Sequence, residues 1–417
     1  MYISRDIEKT IKETSQYFQV ITIYGSRQVG KTTTVDHLFG DTFRFVTLDN
    51  TADYDLANEN PRGFLEAYGW PLIIDEVQKA PKLLNEIKRI VDEQRRIWMR
   101  NDQKRELMYI LTGSNQFDLQ SQVSESLAGR TAILEMASLT QLEKKNTRGN
   151  VFKIDIPELL KKEKQYDLYQ TKEEIFERIF EGGYPDIITR EIPREMYFRS
   201  YVDTYIEKDI RKLISVDYES QFRKFMEIIA LRTAQELNYE NICSAVGISV
   251  PTCKRWISIL ETSGIVILLQ PYMSNMSKRI IKTPKLYFMD TGLCSYLCKW
   301  PNASMLQNGV MNGAFFGSYV ISEIVKSYYN AGINPKDYLY YYRDIDKKEI
   351  DLLIVENGMI YPIEVKKGVS PNKPTKNFNV LSKYNQPIMP GLVIDNTDKI
   401  RPINENVYSF PVCLLGI

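Results

Sequence analysis

GSRQVGKTT, residues Gly25 to Thr33, follows the apolar run QVITIY at Gln19 to Tyr24 and opens a helical pattern. Strand, glycine-rich turn and helix in that order decide how the N-terminal part of the chain folds. Gly25 and Gly30 let the backbone wrap a phosphate, so that the amides of Ser26, Arg27, Gln28, Val29, Lys31, Thr32 and Thr33 can point inward. The helix N-terminus adds partial positive charge. Lys31 is placed to reach the β and γ phosphates of ATP, and Thr32 to ligate Mg²⁺. Downstream, the apolar strand at Trp70 to Ile74 delivers Asp75 and Glu76 to its C-terminal end, where ligands sit in open parallel sheets. Asp75 is expected to hold the cation through water, and Glu76 to polarise the water that attacks the γ phosphate. An acidic pair alone could be a solvated strand end, but beside this turn it reads as the other half of a nucleotide site.

FRFVTLD at Phe43 to Asp49 and MYILTGSN at Met108 to Asn115 read as two further strands. Thr112, Ser114 and Asn115 are candidates for sensing the γ phosphate, and helix capping by Ser114 or Asn115 is the alternative. ESLAGR before TAILEM sets Arg130 just ahead of a fifth strand. This order resembles an AAA-type ATPase: phosphate loop, acidic strand end, polar sensor strand, then an arginine before the last strand. The resemblance implies that Arg130 acts in trans, entering a neighbouring subunit's site, and that the protein is a homo-oligomer. An ordinary surface ion pair is the other reading of Arg130. GGYPD at Gly182 to Asp186 and YVDTYIEKDIRKL at Tyr201 to Leu213 extend the likeness to a prokaryotic group of AAA-type ATPases with an uncharacterised C-terminal region. No second sensor arginine is evident in the helical text that follows.

Phe222 to Gln270 fit a helix-turn-helix with a wing: one helix through Leu231, a second at Tyr239 to Val246, and a third from Pro251 to Thr262 capped by Ser249. The third carries Thr252, Lys254, Arg255 and Ser258 beside Trp256, Ile257 and Leu260, a face suited to phosphates and base edges of DNA. SKRIIK at Ser277 to Lys282 would be a basic wing. Such modules also serve as protein contacts or packed supports.

Further on, a helix from Gly313 to Tyr329 presents Glu323. A hairpin then brings Asp351, and the strand MIYPIEVKKG brings Glu364 and Lys366 to one face. A helix acid, an Asp and an ExK resemble the PD-(D/E)xK nuclease core, here without its Pro. The resemblance implies Mg²⁺ or Mn²⁺ on Asp351 and Glu364, helped by Glu323 and the Val365 carbonyl, with Lys366 activating water. Alternating charges on an exposed sheet face, or a nuclease fold used only for contact, are the alternatives.

The expected architecture is α/β: an AAA-type parallel sheet with flanking helices at 1–138, a helical lid or linker at 139–218, a winged-helix region at 219–290 and an α/β nuclease-like domain at 291–417. Length supports several domains, because single cores stop growing near 250–300 residues. Lys and Arg total 54 against 53 Asp and Glu in 417 residues, so attraction to nucleic acid or anionic lipid has to come from a local patch. The five cysteines form no CxxC pair and there is one histidine, which argues against structural zinc and for reduced thiols. MYISRDIEKTIKET is polar and helix-forming, and no apolar run approaches about 18 residues, so a cytoplasmic protein without a membrane span is expected. Two functions stay open: an ATP-regulated DNA-processing enzyme, and a signalling or scaffold ATPase that shows ATP- and ADP-dependent surfaces to a protein partner. A metabolite kinase fits less well, because the chain continues into AAA-like elements.

Overall fold

The computed structural model describes residues 2–417 apart from 115–122, 124, 167–168, 191, 212–217, 274–282 and 369–374. Its first sheet is built from β1 (Val20–Tyr24), β2 (Arg44–Thr47), β3 (Leu72–Asp75), β4 (Tyr109–Gly113) and β5 (Thr131–Glu135), all parallel, in the order β2-β3-β4-β1-β5. β1 and β4 are buried along their whole length, as continuous apolar runs in a doubly covered parallel sheet should be. The helices Lys31–Phe39, Thr51–Glu59, Pro61–Tyr68 and Lys82–Arg100 connect the strands. Because β4 is inserted between β1 and β3, Ile23 pairs with Thr112 and Ile74 with Leu111. That insertion brings the glycine-rich turn, Thr112 and Asp75 to one sheet end.

Beyond a run of helices from Gln141 to Ile210, the helices Glu219–Ala230, Tyr239–Val246 and Val250–Thr262 stand with a small antiparallel sheet of β6 (Gln235–Glu236), β7 (Val266–Leu269) and β8 (Lys285–Phe288) in the order β6-β8-β7. Gly247 ends the second helix in the left-handed region at φ 85°, and the Ser249 hydroxyl accepts from the Thr252 amide at 3.3 Å to start the third. Trp256 packs edge-on against Phe222 and Phe225 and fixes the first helix on the third. The expected basic wing, Ser277 to Lys282, lies outside the described residues.

A second large sheet carries β9 (Leu339–Arg343), β10 (Glu349–Glu356), β11 (Met359–Val365), β12 (Gly391–Asp395), β13 (Arg401–Asn404) and β14 (Val407–Pro411) in the order β13-β14-β12-β11-β10-β9. β9, β10 and β11 form an antiparallel meander, and β12 and β14 continue in parallel. The helix Asn312–Asn330 is buried through most of its length. It packs between β8, β5 and β11, so one apolar core runs from Ile7 to Ile417.

GGYPD has a structural role. Gly182 stands at φ 83°, and a Cβ there would meet Asp290 Oδ1 at 2.4 Å, so no other residue fits without displacing the chain. Asp290 in turn accepts from the Gly183 amide at 2.8 Å and from the Ser138 hydroxyl at 3.1 Å. Tyr184 then leads into a buried cluster with Tyr197, Phe198 and Tyr201.

Candidate functional site

The Gly25–Thr33 turn leaves the end of β1 and enters its helix at Lys31. Gly30 is left-handed at φ 93°, and Gly25 lies so close to Met136 that a Cβ would fall 2.0 Å from the Met136 carbonyl oxygen. Lys31 is 7% exposed, and its ammonium donates to the Gly25 and Ser26 carbonyls at 2.9 and 2.8 Å. These oxygens hold the cation where a phosphate would be met. The Thr32 hydroxyl donates to Asp75 Oδ1 at 3.1 Å, and the Thr112 hydroxyl donates to the same oxygen. Two oxygens of types that ligate Mg²⁺, from Thr32 and Asp75, are thus already adjacent and fit the cation.

Glu76 adopts φ 55°, ψ 40°, a left-handed conformation uncommon for a non-glycine residue. Gln78 and Ser114 both donate to its Oε2, Ser114 at 3.3 Å. The end of β4 therefore meets both acids: Thr112 bonds Asp75 and Ser114 bonds Glu76. Asn115 lies outside the described residues. A cavity of about 270 Å³ joins Arg27, Gln28, Gly30 to Thr33, Glu76 and Ser114. Its far wall is Tyr201 and Thr204, from the helix Arg194–Tyr205. Reading from motifs missed both, although they sit in the YVDTY stretch. Arg5 was missed too, for want of any motif: buried, it donates to the Val29 carbonyl at 2.7 Å, to the Ala137 carbonyl at 2.8 Å and to Glu143 at 3.1 Å, pinning the turn from behind.

Arg130 precedes β5 and so stands at the N-terminal ends of the strands, away from its own phosphate turn. It forks onto Asp92 of the helix Lys82–Arg100, with Nε at 2.6 Å and one terminal nitrogen at 2.8 Å.

In the C-terminal sheet, β10 bulges between Ile350 and Leu353, which re-aims Asp351. Asp351 accepts from the Val365 amide at 2.9 Å, and Lys366 donates to Glu364 Oε1 at 2.6 Å. Glu364 is 8% exposed, and its Oε2 has no hydrogen-bond partner among the described residues. Burial, then the Asp351 carboxylate, push its carboxyl up to about 7 against the pull of Lys366.

Glu323 corrects the sequence expectation. Its Oε2 accepts from the Gln141 amide at 2.7 Å and its Oε1 from Lys326 at 3.0 Å, so both oxygens are committed to the junction with Leu139–Gln141. The physical reason is its burial: a carboxylate at 5% exposure needs a counter-charge and amide donors, and these lie on the junction side of the helix. Among the described residues no group of three or more His, Cys, Asp or Glu is arranged to hold a metal. Asp351 and Glu364 could hold an oxygen-seeking cation only with water filling most of its shell.

Because Glu364 titrates higher in the fold than its ordinary 4.5, the folded state binds the extra proton between those values. Its contribution to stability is full below about pH 4.5 and is lost as pH rises to about 7. Glu364→Gln, measured by urea unfolding in chelator, should match wild type at the acid end. Above about pH 7 it should exceed wild type by on the order of 2 kcal/mol.

Residues 17–144 match the AAA domain family. Residues 172–304 and 312–415 match two domains of unknown function, DUF8612 and DUF4143. The stretch 17–144 is thus similar to AAA-type P-loop ATPases, a class that uses ATP and typically Mg²⁺, and it is joined to a mixed α/β C-terminal sheet. Uncharacterized proteins of Mycobacterium bovis and Mycobacterium tuberculosis are each 23% identical over 374 residues, 88% of this chain and 75% of theirs. Among solved structures, a Walker-type ATPase of Pyrococcus abyssi is 13% identical and superposes with a TM-score of 0.40, covering 71% of this chain and 96% of its own. Among the described residues no helix is long and apolar enough to cross a membrane.

Proposed function

We propose that the chain is an ATP-driven switch acting on DNA, in which Phe222 to Gln270 serve as a winged helix and the C-terminal sheet as a PD-(D/E)xK-type module. The supporting observation is the seat of the helix Val250–Thr262 on the nucleotide turn. Just past its end, Gly264 lies where a Cβ would stand 3.4 Å from the Ser26 amide nitrogen, and the Tyr205 hydroxyl donates to Ser263 at 3.0 Å. Tyr205 follows Tyr201 and Thr204 of the nucleotide cavity on one helix. The N-terminal half of the Val250–Thr262 helix exposes Lys254 and Arg255. Thr32 and Asp75 would hold Mg²⁺, which would neutralise phosphate charge; Lys31 orients the β and γ phosphates and Glu76 takes up the proton of the attacking water. Filling or emptying the γ-phosphate position then moves Ser26, Tyr201 and Thr204, and with them the helix that meets DNA. A homo-oligomer belongs to this reading, with Arg130 exchanging Asp92 for a neighbour's phosphate. Five free cysteines suit a reducing cytoplasm.

Retention of labelled duplex and single-stranded DNA at low salt, with ATP or ADP, tests the proposal. Nucleotide-dependent retention that weakens in Lys254→Ala/Arg255→Ala is expected, and no retention in any state removes the DNA reading. A second reading, in which the C-terminal sheet is a silent contact module for a protein partner, is favoured by the commitment of Glu323 to the junction. Cleavage of labelled DNA in Mg²⁺ or Mn²⁺ that disappears in Asp351→Ala would exclude silence.

A further inference from the structure

A chain of net charge +1 attracts a polyanion only through a local concentration of cations. The end of the helix Lys82–Arg100 and the segment after it supply one. Arg95, Arg96, Arg100, Lys104 and Arg105 fall within residues 95–105, against the single acid Asp102. Arg96, Arg100, Lys104 and Arg105 are exposed, and among the described residues none of the four forms an ion pair. Arg95 is held below its ordinary guanidinium value, first by burial and then by repulsion from Arg105 and Arg130. Cations set close enough to repel one another, with Asp102 the single acid among them in sequence and Asp92 already held by Arg130, are a destabilising arrangement that an incoming anion relieves.

Aromatic rings border these cations. Trp70 is 37% exposed and meets Trp98 of the same helix edge-on, with centroids 6.2 Å apart. Tyr17 is 71% exposed, two residues before Gln19, whose side-chain oxygen accepts from Arg95 at 2.6 Å. Tyr17 precedes β1 and Trp70 precedes β3, which are two strand spacings apart, roughly 10 Å. The whole group sits at the N-terminal ends of the parallel strands, so a ligand there does not compete with nucleotide.

We propose that this face is a second DNA contact, selective for single strands, in which Arg96, Arg100 and Arg105 take backbone phosphates while Trp70 and Tyr17 stack on unpaired bases. It rests on the DNA reading above and adds the surface and the strand state. Base faces are open to stacking only when unpaired, and stacking beside a cationic track binds single strands with little sequence preference. A lipid surface fits less well: the exposed Ile97 and Met99 are two residues apart, on different sides of the helix, and form no apolar stripe.

The test is anisotropy of a fluorescein-labelled thymidine oligonucleotide, with tryptophan fluorescence followed in parallel. Arg96→Ala/Arg100→Ala/Arg105→Ala should bind at least about tenfold more weakly at low salt. Its log–log salt slope should fall by about 2, from roughly 0.7 per lost phosphate contact. Trp70→Ala should lose the quenching that wild type shows on binding and weaken affinity about tenfold. Both variants should keep wild-type ATP turnover, which also reports that they fold. Unchanged oligonucleotide binding by the triple variant, with loss in Lys254→Ala/Arg255→Ala, would overturn this inference and leave the DNA reading standing. Tighter wild-type binding of duplex than of the oligonucleotide overturns the single-strand assignment, and no binding of either by wild type removes both proposals.

Discussion

Glu76→Gln should bind ATP about as tightly as wild type while turning it over about 10²- to 10⁴-fold more slowly, the range for loss of a general base. The substitution keeps the shape and an acceptor for the Gln78 and Ser114 donors that fix the side chain. It removes the charge and the proton acceptor. The backbone argues in the same direction: a left-handed Glu76 costs on the order of 1–3 kcal/mol, and such a cost persists where the side chain's position matters. Lys31→Ala should behave differently. Its ammonium is the point charge inside the turn, held by the Gly25 and Ser26 carbonyls, so the variant should lose tight nucleotide binding before any chemistry. Equilibrium binding of a fluorescent ATP analogue and single-turnover hydrolysis separate the two. Equal single-turnover rates for wild type and Glu76→Gln would refute the base assignment, and tight binding by Lys31→Ala would refute the phosphate contact.

The nucleotide half was readable because its chemistry is local. Backbone amides, one lysine and one threonine on a single turn are fixed by neighbours in sequence, and Asp75 and Glu76 are delivered by one apolar strand. The three-helix region was readable to within a residue or two because Ser249, Pro251 and Gly247 act on their own helix ends. What stayed hidden depends on contacts between distant segments. Tyr201 and Thr204 line the cavity from a helix whose Tyr197 and Tyr201 pack on Tyr184 of GGYPD, a segment tied to Asp290 more than 100 residues away. Arg5 supports the turn across 24 residues to Val29 and 138 to Glu143. Neither leaves a spacing pattern. The basic end of the helix Lys82–Arg100 was visible as letters but not as a surface, since its neighbours Tyr17 and Trp70 arrive from other strands.

Glu323 shows why placing an element does not place its side chain. The helix was expected at Gly313 to Tyr329 and is found at Asn312–Asn330. Which way one glutamate points, however, depends on what packs around the helix. Glu323 and Lys326 keep 4% and 5% of their side-chain surface, 3.0 Å apart, with Lys326 also donating to the Leu139 carbonyl at 3.1 Å. The junction is closed from the other side by Gln141, which accepts from the Tyr319 hydroxyl at 2.9 Å and donates to the Val412 carbonyl at 3.0 Å. Glu323→Ala leaves the Lys326 charge buried and unpaired, a loss of about 3–5 kcal/mol. Hydrogen exchange of the Asn312–Asn330 amides should then quicken by about two to four orders of magnitude, the factor such an energy implies for local opening. Glu323→Ala/Lys326→Met, which removes both charges and keeps the volume at Lys326, should recover much of the protection. A metal ligand would give the reverse pattern: unchanged protection in Glu323→Ala, loss of Mn²⁺ binding by calorimetry, and no rescue from the second substitution. That pattern would return Glu323 to the Asp351 and Glu364 site.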